Sequence, residues 1–372
     1  MSTGSASSDD LARASVVEPD RALDAPTSEA STFVPPYAPS WVNLLIGWID
    51  RLPGPAWAFY LALMVPAVVL ANAQFWFSGT TPVGRLTIAP TFWGIIMPAL
   101  LWLIHYLDGV ARAAFEAFRP ALGELDTQAE RLRYELTVIP ARPANVITIM
   151  VVGVTILSYA TADVVERISG LTPEAIALSG LAQRLVPTLT TILLYHMLRQ
   201  LRAVSRIHER ATRIDLFQPA PIYAFSRLTS RNAIALILIT IGGVAASADI
   251  ITASLTQAAP WVLLPVAVAT AAFVLPLQGM HRRLVAEKHR LQAEAGGHLE
   301  AVIGEVHEAV QRSDLSRADG LSKLMASLVT EREVVAKLST WPWQAGTVGG
   351  FIGAILLPLG LWLVTRLLEK VV

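Results

Sequence analysis

Seven long stretches of the chain contain no Asp, Glu, Lys or Arg, and these stretches constrain the fold more than any other feature. A helix that crosses a bilayer needs about 20 mostly apolar residues, within a range of about 17–25. Five stretches meet or nearly meet this length, and the two shorter ones can extend where Lys and Arg side chains reach toward the headgroups. The sequence therefore predicts an all-α fold, a polytopic transmembrane helical bundle of about seven spans. The stretches are Pro55–Ser78, Thr91–Tyr106, Pro143–Ala162, Leu185–Leu198, Asn232–Ala248, Ser254–His281 and Trp341–Thr365.

The predicted spans, TM1 to TM7, are 57–77, 91–109, 144–163, 183–201, 232–252, 260–280 and 346–366. The overall composition agrees, because 53% of residues are hydrophobic and only 16% are charged, against about 25% charged in soluble domains. Most of the Trp residues also fall at predicted span ends, where amphipathic rings prefer to lie.

The distribution of basic residues predicts the orientation. Of the 29 Lys and Arg residues, 24 fall in the segments on one side of the predicted spans. Basic residues concentrate in cytoplasmic loops, so the N-terminus is predicted inside and the C-terminus outside, in a plasma or inner membrane. The net charge of zero is an average over two unlike surfaces.

The remaining segments divide the chain into regions. Residues 1–38 are rich in Ser, Ala, Asp and Pro and predict a disordered cytoplasmic tail. Residues 39–54 predict an interfacial amphipathic helix, with Trp41, Leu44, Leu45, Trp48, Ile49 and Leu52 on one face and Ser40 as its cap; packing on the cytoplasmic domain is the alternative. Residues 55–280 contain TM1–TM6. Residues 281–340 predict a cytoplasmic, coiled-coil-like helical hairpin with its turn at Arg312–Gly320, and residues 341–372 contain a Trp-Pro-Trp segment and TM7.

TM3 and TM5 share a pattern that suggests a tandem repeat. Each begins with an Asn, Asn145 or Asn232, and ends in a small-residue run before an Asp, Asp163 or Asp249. TM2–TM3 and TM4–TM5 would then be related hairpins that run in the same direction; chance similarity between Ala-rich helix ends is the alternative.

Enzyme signatures are absent from the sequence. It contains no His-Glu-x-x-His, Walker, Gly-x-Ser-x-Gly or Gly-x-Gly-x-x-Gly motif, each of which reports a specific catalytic or phosphate-binding geometry. With no Cys, thiolate metal sites and cysteine nucleophiles are excluded. The sequence predicts no catalytic residue, no metal site, no cofactor and no nucleic-acid partner.

Two polar groups mark the predicted span ends. Asp163, Glu166 and Asp249 form a candidate acidic rim at the outer mouth, able to gather cations. His105, Asp108, His196 and Arg199 form a candidate inner cluster, in which Asp108 and Arg199 lie at similar depth and are expected to pair. Plain interfacial polarity is the alternative for the rim, and a structural role for the cluster.

Two further features predict contacts with lipid or protein. Arg199, Arg202, Arg206, Arg210 and Arg213 recur every three or four residues and predict a stripe for anionic headgroups, with a solvated, salt-bridged face as the alternative. Gly346, Gly349, Gly350 and Gly353 allow close helix packing and Pro358 allows a bend. TM7 is therefore predicted to be central in the bundle or to be a self-association face.

Two functions fit these features. The first is a channel-like bundle that passes ions or small solutes; in span count and orientation it resembles the insect chemoreceptor channels, although the Thr-Tyr and Gln-Phe signature of that family's last helix is absent. The second is a membrane scaffold or sensor whose 281–340 hairpin binds a cytoplasmic partner or a second copy of the chain. The lipid bilayer is a partner in both.

Overall fold

Within the described residues, each predicted span coincides at least in part with a helix. The computed structural model describes residues 33–77, 79–161, 173–210, 215–245, 255–313, 315–344, 346–356 and 360. Among these residues the only β-type pairing is an isolated bridge between Pro39 and Pro140. The described helices are α1 Trp41–Ile49, α2 Ala56–Phe77, α3 Ile88–Phe118, α4 Ala129–Thr137, α5 Ala141–Thr161, α6 Pro173–Arg210, α7 Pro219–Ile222, α8 Ala224–Ala245, α9 Leu255–Val274, α10 Gln278–Gln311, α11 Leu315–Lys337 and α12 Gly346–Leu356.

The predicted number of spans is confirmed only in part. Within the described ranges, three helical stretches are long and apolar enough to cross a membrane, namely Ala56–Phe77, Pro90–Ala121 and Leu263–Gln311. Two shorter apolar helices, Ala141–Val154 and Gly346–Leu356, lie at predicted TM3 and TM7, whose far ends extend beyond the described residues. The structure therefore establishes a helical protein with three candidate spans.

Several helices continue past the length that a bilayer requires. At about 1.5 Å per residue, α3 with its 31 residues and α6 with its 38 residues exceed a hydrocarbon core of about 30 Å. Helix α3 ends at Phe118, and Arg119 keeps α-helical dihedral angles and begins a short 3₁₀ turn, Arg119–Ala121.

Helices α2 and α3 approach each other closely at a glycine. A Cβ atom at Gly94 would lie 2.6 Å from Val68 Cα and 2.8 Å from its nitrogen. Because both neighbours are backbone atoms, any larger residue forces the two helices apart. The sequence analysis did not single out this glycine.

Helix α1 has the predicted cap, since Ser40 Oγ accepts a hydrogen bond from the backbone N–H of Asn43 at 3.3 Å. Val42, Ile46 and Ile49 are buried, and helix α3 lies against α1. Leu44 and Trp48, on the predicted apolar face, are 62% and 56% exposed. The interfacial position of this helix stays a prediction.

Helices α10 and α11 pack against each other as a hairpin. The buried residues of α10, which we call its seam, are Met280, Leu284, Ala295, Val302 and Ala309. The coiled-coil character of the hairpin stays a prediction. The turn is shorter than predicted, because α11 already begins at Leu315. Contacts with the rest of the chain come from the α10 base, which meets α6 and the short turn at Leu275–Leu277.

Several predictions fall outside the described residues. These are most of the 1–38 tail, the whole acidic rim (Asp163, Glu166 and Asp249), Arg213 and Pro358.

Candidate functional site

A layer of polar side chains crosses the interior of the bundle. Asp108 on α3, His196 and Gln200 on α6, and Asn232 on α8 are each between 0 and 3% exposed. Asp108 Oδ1 accepts hydrogen bonds from His196 Nε2 at 2.6 Å and from Gln200 Nε2 at 3.2 Å. Asn232 Nδ2 donates to Gln200 Oε1 at 3.3 Å and to the Leu228 carbonyl at 3.1 Å. We call these four residues the polar layer.

The polar layer separates two apolar cores. On α3, Leu107 belongs to one core and Ala111 to the other, with Asp108 between them. On helix α8, Leu228 belongs to the same core as Ala111, and Ala235 belongs to the same core as Leu107. Asn232 lies between them. His196 and Gln200 are four residues apart and so share a face of α6. The same level of all three helices is therefore polar.

Two atoms of the polar layer have no hydrogen-bond partner among the described residues. They are His196 Nδ1 and Asn232 Oδ1, and both are buried. If His196 donates to Asp108 through Nε2–H, its Nδ1 carries a lone pair that can accept a hydrogen bond from a water molecule. Buried polar atoms without partners are rare in native proteins, and they often mark a bound water or a functional group.

His105 belongs to a second polar group on another face of α3. Its Nε2 lies 3.2 Å from Asp50 Oδ1, and the Tyr60 hydroxyl lies 3.1 Å from its Nδ1. A neutral ring that donates to Asp50 and accepts from Tyr60 satisfies both contacts. His105 therefore joins α3 to α2 and to the turn that follows α1, and it is not part of the polar layer.

The predicted pairing of Asp108 with Arg199 is wrong. Arg199 donates short hydrogen bonds to the Val138 carbonyl and the Tyr37 hydroxyl, and its guanidinium lies 4.8 Å from the centre of the Tyr37 ring. Similar depth did not make the two residues neighbours, because they point in different directions around their helices. Burial raises the pKa of the Tyr37 phenol, and the hydrogen bond and charge of Arg199 oppose this rise without reversing it.

The predicted headgroup stripe is partly on the surface. Arg199 donates hydrogen bonds inside the protein, whereas Arg202, Arg206 and Arg210 are exposed. Arg206 also lies 3.9 Å from Glu135, with its own side chain 54% exposed. The headgroup stripe and its salt-bridged alternative both stay predictions for the three exposed arginines.

A stack of rings connects the hairpin base with α12. The ring of His281 lies 3.9 Å from that of Trp341, which lies 4.3 Å from Trp343, both pairs nearly parallel. Trp343 stacks on Phe273 at 5.5 Å, and Phe273 meets Phe351 of α12 at 4.8 Å. We call these five residues the aromatic column. Hydrogen bonds from Lys288 Nζ to the carbonyls of Ala336 and Leu338, at 2.7 and 2.8 Å, close the hairpin beside it.

The glycines of α12 do not pack against another described helix. A Cβ atom at Gly346, Gly349, Gly350 or Gly353 would meet no described atom within 4 Å. Close backbone packing requires neighbouring atoms. The described residues therefore do not support a central position for the glycine face of α12 in the bundle. Self-association through the glycine face stays a prediction.

Several residues of these sites were missed by the sequence analysis. No sequence motif includes Gln200, Asp50 or Tyr60, and Asn232 was noted only as part of the proposed repeat. Its counterpart Asn145 is exposed, so the two asparagines differ in environment. The one available signal was the four-residue spacing of His196 and Gln200 within an apolar helix.

No protein-family model, no curated protein and no solved structure matches this chain. The likeness to the insect chemoreceptor channels thus stays one of predicted topology. Function has to be argued from the geometry of the chain itself.

Proposed function

We propose that this chain is a sensor or scaffold of a plasma or inner membrane, in which the α10–α11 hairpin binds a cytoplasmic protein and the aromatic column transmits this binding to α12. The proposal includes the seven spans and the N-inside, C-outside orientation. The observation that carries it is the aromatic column, which joins the most independent part of the described chain to the last apolar helix.

The rigidity of the column supports transmission. Two of its ring pairs are stacked within 9° of parallel at 3.9 and 4.3 Å, and aromatic pairs contribute about 0.5–1.5 kcal/mol beyond their buried area. A displacement of the hairpin base therefore moves Trp341 and Trp343, and through Phe273 it reaches Phe351.

The surface of the hairpin supports partner binding. Outside the seam, five large apolar side chains are 39 to 60% exposed, although each helix already has an apolar face against the other. Exposed apolar surface on an element with few other contacts is typical of protein-binding sites. These side chains are Ile303, Val310, Leu324, Val329 and Val334.

Hydrogen–deuterium exchange of α12 tests the coupling. An antibody fragment selected against the hairpin tip near Gly320 serves as the partner, and the full-length protein is held in phosphatidylcholine nanodiscs. We expect fragment binding to change exchange in 346–356, and Trp343→Ala to abolish this change while the fragment still binds. Trp48→Ala, at an exposed Trp of α1 outside the column, should respond as the wild type does. A response that survives Trp343→Ala overturns the proposal.

The absence of Cys makes the orientation directly testable. Single cysteines replace Val83, in the predicted outer loop, and Lys323, on the hairpin; both positions are well exposed. A membrane-impermeant maleimide added to intact cells should label Val83→Cys and spare Lys323→Cys until the cells are opened. The reverse pattern refutes the N-inside orientation.

The polar layer favours a second candidate function, passage of protons or small cations. A buried carboxylate–imidazole pair inside a membrane protein is costly unless it is used. His196 Nδ1 and Asn232 Oδ1, which have no partner among the described residues, are suited to accept hydrogen bonds from an ordered water. Proton flux into proteoliposomes under a potassium diffusion potential tests this candidate. Passage through the layer predicts flux in the wild type and its loss in His196→Gln, with His289→Gln on the hairpin surface as control. A wild type without flux, or equal flux in all three, eliminates it.

A further inference from the structure

A cavity of about 580 Å³ opens beside α3, at the predicted inner boundary of the membrane. Its walls come from the start of α2, the middle of α3, the α7–α8 junction and Gln344. In the predicted topology all four parts lie where the chain meets the cytoplasmic headgroups. The volume is within the range of about 300–1,000 Å³ typical of ligand sites.

The cavity is lined by one charged side chain, which is basic and exposed. Arg227 lines the cavity and is exposed, and no Asp or Glu is among the lining residues. None of the ion pairs within the described ranges includes Arg227. Tyr223 and Gln344 add polar side chains to the lining, whereas the lining residue His105 is held from behind by Asp50. The cavity thus presents hydrogen-bond donors and a positive charge, which suit an anion.

The other walls are apolar and open toward the bilayer. Trp57 and Trp102 are 59% and 43% exposed, and Trp102 stacks on Tyr106 at 5.5 Å. Such rings lie at the level of the headgroups and upper acyl chains. The α3 face between them consists of small residues, including Gly109 and Ala113, which leave the space unfilled.

We infer that this cavity binds the headgroup of an anionic phospholipid. The phosphodiester pairs with the Arg227 guanidinium, a planar donor whose geometry matches phosphate oxygens, and the glycerol and upper acyl chains lie against Trp57 and Trp102. A soluble phosphorylated molecule shares the phosphate chemistry, but it would leave the aromatic walls exposed. The binding itself does not depend on the proposed sensor function.

The position of Gln344 gives the lipid a regulatory consequence, which does rest on the proposed function. Gln344 directly follows Trp343 of the aromatic column. A bound headgroup thus contacts α3, α8 and the segment that carries hairpin movements to α12. Lipid occupancy would restrain this segment.

Lipid retention measured by native mass spectrometry tests the site. Full-length protein is released from nanodiscs that contain phosphatidylcholine alone or phosphatidylcholine mixed with phosphatidylglycerol. We expect retained phosphatidylglycerol in preference to phosphatidylcholine, and about tenfold weaker retention in Arg227→Gln, since a hydrogen bond between two charged groups is lost. Ala113→Leu fills the cavity from an exposed position and should also displace the lipid without unfolding the protein.

Arg202→Gln is the matched control, because Arg202 is an exposed arginine of the predicted stripe that does not line the cavity. It should retain lipid as the wild type does. Equal losses in Arg202→Gln and Arg227→Gln, or no preference for phosphatidylglycerol, overturn the inference. Glycerol phosphate that competes at the same concentration as the lipid overturns the assignment to a lipid. The exchange test of the sensor function uses phosphatidylcholine alone, so the two proposals fail separately.

Discussion

The polar layer of the bundle and the surface of the hairpin each contain a contact between ionisable side chains, of similar length and very different consequence. His196 Nε2 and Asp108 Oδ1 are 2.6 Å apart with side chains 0% and 4% exposed. Lys323 Nζ and Asp319 Oδ2 are 2.7 Å apart with side chains 77% and 67% exposed. Water solvates the second pair whether or not it forms, whereas the first pair has no such alternative. Burial, and not distance, therefore decides what each contact contributes.

The largest effect is expected from breaking the polar layer. Asp108→Ala leaves the donors of His196 and Gln200 without their acceptor inside the protein, and removal of one partner of a buried pair typically costs about 3–5 kcal/mol. Thermal unfolding in detergent, followed by Trp fluorescence, should show this loss. The double variant Asp108→Leu with His196→Leu should recover most of it, because an apolar replacement of both partners is often nearly neutral. Failure of this recovery would argue against a self-contained buried pair.

A pH-dependent loss of stability should come from His208, near the C-terminal end of α6. Burial is the main cause that lowers the pKa of His208 to about 4; Arg283 lowers it further, and a hydrogen bond to the Pro276 carbonyl partly opposes the shift. Since the unfolded chain binds this proton first, the stabilisation is complete above about pH 6.5 and decreases toward pH 4, by up to about 3 kcal/mol.

Unfolding measured across this pH window checks the prediction. His208→Gln should have a flatter pH profile than the wild type, because the substituted side chain does not titrate. His289→Gln, at an exposed hairpin position, should keep the wild-type slope. Parallel profiles for wild type and His208→Gln would contradict the prediction, because they would show that the pKa of His208 is the same in the folded and the unfolded chain.

The glycines allow a packed helix pair to be compared with an open helix. Gly94→Ala should destabilise by about 1–3 kcal/mol, as expected when a well-packed contact is overfilled, because its Cβ would lie 2.6 Å from Val68 Cα. Gly353→Ala on α12 should be neutral or slightly stabilising in the monomer. If Gly353→Ala instead weakens an oligomer seen by mass photometry, the predicted self-association face gains support.

The smallest effect is expected on the hairpin surface. Lys323→Gln removes the contact with Asp319, but substitutions at such exposed positions usually change stability by less than about 0.5 kcal/mol. Unfolding in detergent should be indistinguishable from the wild type. A loss comparable to that of Asp108→Ala would mean that another chain or another part of this one covers the hairpin.

The amino-acid sequence by itself determined where the helices lie. Apolar runs without charge and a serine before Trp41 are local signals, and the described residues have a helix within each predicted span and a cap at Ser40.

Only the tertiary structure decided which side chains meet. Asp108 binds His196 and not Arg199, α1 buries Val42 and not Trp48, and the tight glycine is Gly94 and not one of the α12 glycines. Each outcome depends on how a helix is rotated and which neighbour lies against it. Periodicity defines the faces of one helix, but the pairing of faces follows from the packing of all the helices together, which no local signal contains.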